Sequence, residues 1–288
     1  MKITYHISEL VPYINWVYYF YAWQVKDDAE KQRMQQEAQA KLAELEDKYK
    51  VYAVFELFDA NSDGEDIVIY RGDDNRGMWN VECGMRIPCL RQQQGKPPYL
   101  CLADFIRPIN ISHSTFHIPH STKPSSENTS KLGLFATTVD IGLETDFDDD
   151  VYQKMMVQLL ADRLAEAAAE RLHEQVRKEL WGYAKDENLS IEDMLIERFQ
   201  GIRPAVGYPS LPDTSLNFVF DDILDMKQIG IRLTESGAMK PHASVSGMMI
   251  SNSKARYFSI GKIGEDQLED YARRRGLPVE VIRKFVTL

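Results

Sequence analysis

The sequence predicts an α+β fold, and three observations carry that prediction. Runs rich in β-branched and aromatic residues fall into two clusters, one before residue 140 and one after residue 215. A long amphipathic helix over approximately residues 151–183 lies between them. The chain shows no internal repeat. Strand clusters parted by helix favour α+β over a repeating βαβ layout.

Each element has its own signal. The aromatic run from Trp16 to Trp23 is too short to cross a bilayer and has no small-residue cleavage site, so it reads as a buried or packed segment. Residues 29–48 read as a helix with Met34, Ala38, Leu42 and Leu45 on one face. Residues 51–58 and Asp66–Tyr70 read as strands, and Asn61-Ser62-Asp63-Gly64 between them predicts a hairpin turn. Residues 77–81, 100–105 and 133–139 are further strand candidates. The stretch 110–131 is rich in Ser, Thr, Pro and His and reads as a mobile surface loop.

Asp146, Asp148, Asp149 and Asp150 precede the long helix, where acids suit the positive end of the helix dipole. Met156, Leu160, Leu164, Ala168, Leu172, Val176 and Leu180 form its apolar stripe at spacing four. Arg163, Glu166, Glu170, His173 and Arg177 occupy another face. Thirty residues at this rise give a rod of ~45 Å. Ser190 with Asp193 three residues later predicts a capped short helix running through Phe199. Leu216–Leu224 and residues 230–234, 244–250 and 257–263 suggest a second set of strands with some helix. Glu265–Arg275 reads as a helix stopped by Gly276 and Pro278, with a final short helix after it.

Composition excludes several functions. A net charge of −10 argues against a broad nucleic-acid footprint, which needs a basic face. No apolar run approaches the ~20 residues that a bilayer span requires. Cys83, Cys89 and Cys101 are odd in number and lack Cys-x-x-Cys spacing, which suggests free thiols in a reducing cytoplasm. Asp59-x-Asn61-x-Asp63-Gly64 matches half of a calcium loop, but its twelfth position is Tyr70, where a bidentate Glu is needed. His113, His117 and His120 lie in the polar stretch without a clear set of supporting groups, and His173-Glu174 is followed by Arg177 instead of a second His. There is no Gly-x-Gly-x-x-Gly, no P-loop and no Asp-x-His-x-x-Gly.

The segment with the most chemical content is Arg203-Pro204-Ala205-Val206-Gly207-Tyr208-Pro209. Arginine offers a planar charged fork suited to a carboxylate, glycine permits close backbone approach, and the prolines stiffen the segment. It reads either as a rigid pocket wall for a small molecule with a carboxylate and an aromatic ring, or as a structural turn.

Arg203-x-x-x-Gly207-Tyr208-Pro209, Thr234-Glu235-Ser236 and Ala243-Ser244-Val245-Ser246-Gly247 together resemble the activation domain of cobalamin-dependent methionine synthase. Val11-Pro12-Tyr13-Ile14-Asn15-Trp16, Cys101-Leu102-Ala103-Asp104-Phe105, Leu160-Ala161-Asp162-Arg163-Leu164-Ala165-Glu166-Ala167, Trp181-Gly182-Tyr183-Ala184 and Gln267-x-Glu269-Asp270-Tyr271-Ala272 extend the resemblance over nearly all of residues 1–288. It implies a single α+β domain with a mostly antiparallel sheet, a long central helix and flanking helices. It also implies an S-adenosylmethionine-binding module that supports reductive methylation of cob(II)alamin. The cobalamin would be held by a partner module, and the electron would come from a flavodoxin-like donor, with no nucleic acid or membrane involved. Asn15, Glu166, Glu197, Arg203, Ala205, Gly207, Tyr208 and Tyr257 fall at ligand-binding positions by this resemblance, whereas spacing alone leaves Glu166 a solvated helix residue and Tyr257 plain core.

The chain departs from the family pattern at Asn15, where Asp is expected, and at Gly237, Lys240 and His242, which replace Phe, Trp and Gly. It carries no homocysteine, folate or cobalamin module and no complete active site of its own, and Met1-Lys2-Ile3 favours a free-standing subunit over an excised domain. Two alternatives follow: a binding module that keeps the fold without methyl transfer, and an activator of another corrinoid methyltransferase.

Overall fold

The computed structural model describes residues 1–70, 85–109 and 128–286. The predicted strand at 77–81, Cys83, the stretch 110–127 and its three histidines lie outside the described residues.

The chain divides into two compact units, one built from Met1–Phe55, Phe135–Phe199 and Phe220–Gly247 and the other from Glu56–Leu134, Gln200–Val219 and Met248–Leu288. A six-stranded sheet has the order β4-β3-β2-β5-β8, with β1 paired to β2. Its strands are β1 (Lys2–Tyr5), β2 (Val51–Asp63), β3 (Asp66–Tyr70), β4 (Met85–Pro88), β5 (Ser130–Val139) and β8 (Ser244–Met249). The β1–β2, β2–β3 and β3–β4 pairings are antiparallel. A small antiparallel pair, β6 (Arg232–Leu233) and β7 (Met239–Lys240), stands apart.

The first unit holds most of the helices. These are α1 (Ile7–Leu10), α2 (Trp16–Ala22), α3 (Asp28–Leu45), α4 (Gly142–Thr145), α5 (Val151–Gln175) and α6 (Ile191–Leu195). The predicted stripe of α3, Met34, Ala38, Leu42 and Leu45, is buried, and Asp27 caps the helix by accepting the Glu30 N–H. Asp150 caps α5 through the N–H groups of Tyr152 and Gln153. The α-helix stops at Gln175, about 37 Å from its start. A five-residue π-turn, Val176–Leu180, follows. It ends the regular helix short of Tyr183. The second unit closes with α8 (Glu265–Arg275) and α9 (Val279–Ile282), whose Leu268, Tyr271, Ala272 and Ile282 share one buried cluster with Leu90, Ile260 and Val286.

Several expectations are corrected. Of the second set, read as strands with some helix, Leu216–Leu224 is the helix, α7. Leu216, Phe220, Ile223 and Leu224 are buried at helical spacing, while its alternating Phe and Val imitate a strand. Residues 100–105 form one bridge, Arg91 to Cys101, and then a 3-10 turn, Leu102–Phe105. Asp104 closes that turn by accepting the Cys101 N–H at 2.9 Å. Residues 257–263 form no regular strand. The short helix after Ser190 ends at Leu195 instead of Phe199, although Ser190 does cap it. Residues 130–131 belong to β5 and not to the preceding loop.

The hairpin exists, but its turn is Gly64–Glu65, because Asp63 still pairs with Asp66. Asn61 and Ser62 stay in the strand since another segment satisfies them: Asn61 donates to the Arg107 carbonyl and Ser62 Oγ to that of Ile106. Asp59 takes the Lys131 ammonium at 2.8 Å. The aromatic run is less buried than expected: Tyr19 is buried in α2, but Tyr18 and Tyr21 are 59% and 82% exposed.

Candidate functional site

In the second unit, the segment 201–211 is held almost atom by atom through its backbone. Gly201 has φ +87, and a Cβ there would lie 2.3 Å from the Ile250 carbonyl oxygen. That close approach lets Ile202 and Ile250 exchange both backbone hydrogen bonds, at 2.9 and 3.0 Å. The Met248 N–H donates to the Pro204 carbonyl at 3.0 Å, and the Arg203 N–H donates to the Tyr257 hydroxyl at 2.8 Å. Beyond Arg203 the chain turns at Gly207, where φ is +86. The Gly207 N–H reaches the Leu211 carbonyl at 2.8 Å, and the Ile260 N–H reaches that of Pro209 at 2.9 Å.

This anchoring sets what the wall presents. Ile202, Arg203 and Ala205 are buried at 1%, 9% and 6% exposure, whereas Gly207 is exposed and Tyr208 is 50% exposed. Burial at 9% exposure restricts the Arg203 rotamers in advance, which lowers the entropic cost of binding a carboxylate. Tyr208 offers an accessible ring, and Tyr257 steadies the segment through the Arg203 amide. Of the eight predicted residues, Arg203, Ala205, Gly207 and Tyr208 share one anchored segment, and Tyr257 is bonded to it through the Arg203 amide.

The other three lie in the first unit. Asn15 is half-buried and caps α2, its side chain accepting the Val17 N–H at 3.2 Å. The 3-10 turn Val11–Tyr13 before it packs on α5 and α6, and α2 packs on α5. The Tyr13 hydroxyl donates to Glu174 at 2.5 Å, and Arg163 lies 5.6 Å from the Tyr18 ring centre. These contacts bracket the stretch of α5 that carries Glu166, which is half-buried. Burial, with the hydrogen bond to Glu174, pushes the Tyr13 hydroxyl up to about 12, so it stays a proton donor at neutral pH. Glu197 is exposed, directly after α6, with φ +61.

One turn before Glu166, Asp162 lines a cleft of about 380 Å³ with Glu144, Met155, Leu159 and His242. Burial raises the Asp162 carboxyl above its ordinary range, and His242 Nδ1 lies 3.8 Å from it. Glu144 accepts the N–H groups of His242 and Ala243. Among the described residues no three His, Cys, Asp or Glu side chains gather to hold a metal ion.

Residues 6–276 match a family described as vitamin B12 dependent methionine synthase, activation domain. The chain belongs to that family. A crystal structure of the MetH reactivation domain bound to AdoHcy is 37% identical, over 99% of this chain and 88% of that chain, with a TM-score of 0.85. Mixed helix and antiparallel sheet is thus the fold this chain shares with a solved reactivation domain. Among the described residues no helix is long and apolar enough to cross a membrane.

Sequence reasoning missed one part of this activation domain. The spacing sets His173 and Arg177 on a face apart from the apolar stripe, yet both are fully buried. Arg177 Nε donates to both carboxylate oxygens of Glu187, at 2.9 and 3.0 Å, and its guanidinium lies 4.5 Å from the Phe199 ring centre. The available signal was the position of Arg177 next to Val176, on the border of the apolar stripe. Its partner ten residues later could not be read without the π-turn between them.

Proposed function

We propose that this activation-domain chain binds S-adenosylmethionine and supports reductive methylation of cob(II)alamin held by a partner module. One observation carries the reading: the Arg203 wall is rigid, holds a buried guanidinium and exposes an aromatic ring, which suits an amino acid joined to a nucleoside. The solved relative is bound to AdoHcy, which is S-adenosylmethionine without its methyl group. When bound, S-adenosylmethionine supplies the methyl group. Arg203 is assigned its carboxylate, and Ala205, Gly207, Tyr208 and Tyr257 the surface on which it rests. In the first unit, Asn15, Glu166 and Glu197 offer acceptors suited to cationic and hydroxyl groups, since carboxylates and amide oxygens accept from both. Corrin chemistry belongs to the partner module, and a flavodoxin-like protein is the assigned electron donor.

Titration of the full chain with S-adenosylmethionine and with S-adenosylhomocysteine is expected to give saturable heat for both. No heat with either overturns the reading. Arg203→Ala is expected to weaken binding roughly tenfold or more, because a charge-assisted pair contributes about 1.5–3 kcal/mol. Arg203→Lys is expected to bind poorly as well, since an ammonium cannot reproduce the fork.

Asn15 allows a cleaner test. Asp and Asn cap helices about equally, so Asn15→Asp is expected to leave the melting temperature nearly unchanged. A carboxylate facing the ligand's ammonium adds about 1 kcal/mol over a neutral acceptor, roughly fivefold in affinity. Unchanged or weaker binding would restrict Asn15 to its capping role and remove the N-terminal segment from the ligand-binding set.

A further inference from the structure

We propose that the buried Arg177–Glu187 pair and the Phe199 ring form a staple that positions Glu197, making Arg177, Glu187 and Phe199 positioning residues for ligand binding. The proposal deepens the reading above and rests on its choice of Glu197 as an acceptor for the ligand.

The argument begins with an ion pair in an unfavourable place. Arg177 is fully buried and Glu187 has a side-chain exposure of 9%. Burying both charges costs desolvation that their attraction barely offsets, so such pairs stabilise little but do fix one geometry. This pair ties three segments. Arg177 sits in the π-turn Val176–Leu180, and π-turns often mark functional places in helices. Glu187 closes the turn that begins at Trp181, where the Ala184 N–H also bonds the Arg177 carbonyl at 2.9 Å. Phe199 packs under the guanidinium at 4.5 Å and against the His173 ring at 4.7 Å, edge to face. His173 in turn meets the Tyr183 hydroxyl at 3.2 Å.

Phe199 therefore has its ring clamped between Arg177 and His173, at 8% exposure. Glu197 lies two residues earlier in left-handed backbone, which a non-glycine residue keeps only where its surroundings hold it. On one side α6 supplies that hold: the Glu197 N–H bonds the Met194 carbonyl and the Arg198 N–H bonds that of Asp193, both at 3.0 Å. On the other side the hold is the clamped Phe199. A surface carboxylate in a strained turn between two anchors is a fixed acceptor, and the staple is what fixes its second end.

The test uses the full chain and S-adenosylhomocysteine as probe. Arg177→Met combined with Glu187→Leu replaces the pair with apolar groups of similar size. The double variant is expected to keep a cooperative melt near that of the parent while binding about tenfold more weakly. In a Glu197→Ala background the same pair of changes should add no further loss, because the group they position is gone. Hydrogen exchange at the Glu197 and Arg198 amides should rise in the double variant without any ligand. If the double variant does not fold, Phe199→Leu should lose affinity and speed that exchange, and Phe199→Tyr should restore both. Equal loss of affinity with and without Glu197, or unchanged exchange at 197–198, overturns the staple. A parent chain that binds no probe would overturn the functional reading instead, and the exchange result would still decide the staple.

Discussion

Gly201→Ala is expected to destabilise the chain by about 3 kcal/mol or more, the combined effect of left-handed backbone and overpacking. At φ +87 an alanine is strained by its own backbone, and its methyl would meet the Ile250 carbonyl oxygen at 2.3 Å. That atom belongs to the paired backbone that holds Ile202, one residue before Arg203. Nothing flexible lies in the way to yield, so the segment must move as a whole. The hydrogen bonds from Ile202 to Ile250, and from Met248 to Pro204, should lengthen together. Urea denaturation should report the lost stability, and ligand titration at low temperature should show weaker binding in the fraction that remains folded. An alanine variant that melts with the parent and binds equally well would show that the wall tolerates a shift. Its rigidity would then not explain the affinity.

Asp213→Ala is expected to cost about 3–5 kcal/mol, the usual penalty for leaving a buried charge without its partner. Asp213 is 1% exposed. Its carboxylate accepts the Tyr271 hydroxyl at 2.7 Å and the Ser215 N–H at 2.9 Å, and lies 3.3 Å from Arg275 Nε. Arg275 has a side-chain exposure of 9% and would lose its counter-charge. Burial, reinforced by the Asp213 charge, holds the Tyr271 hydroxyl well above its ordinary range, so the phenol stays a proton donor to the carboxylate. Asp213→Asn keeps the shape and one acceptor and should cost less. Chemical denaturation of the two variants side by side is the measurement. A loss below about 1 kcal/mol in the alanine variant would mean that Arg275 reaches water instead.

The turn at 203–209 was legible because every feature of it is local. Arg, Gly and Pro within seven residues state a charge, a turn and a stiffened approach, and the structure keeps all three in one rigid segment. Tyr257 was reachable only through the family resemblance, since fifty-four residues separate it from the amide it receives. Glu197 was named in the same way, but its left-handed backbone was not foreseeable. That conformation is enforced by α6 behind it and by a ring clamped in front of it. Arg177 was misread for a related reason. A helical wheel assigns a charged residue to solvent, and only a distant carboxylate and an aromatic face can make its burial tolerable.

By itself the sequence determined the helices α3, α5 and α8, the acidic start of α5 and the glycine stop of α8, and the strands flanking Gly64. Their signals are periodic or adjacent, so they act within one turn of helix or one pleat of strand. It also determined the family, through several long motifs in order. Tertiary structure alone decided that Leu216–Leu224 would be helix, because its apolar residues fit both periods and packing chose between them. It decided that residues 102–105 would turn, since Asp104 bonds back to the Cys101 amide and also holds Arg91. It decided that β2 would run on through Asn61 and Ser62, whose polar groups are satisfied by carbonyls more than forty residues away. For β2 the partners that tipped a nearly balanced local preference lie more than forty residues along the chain.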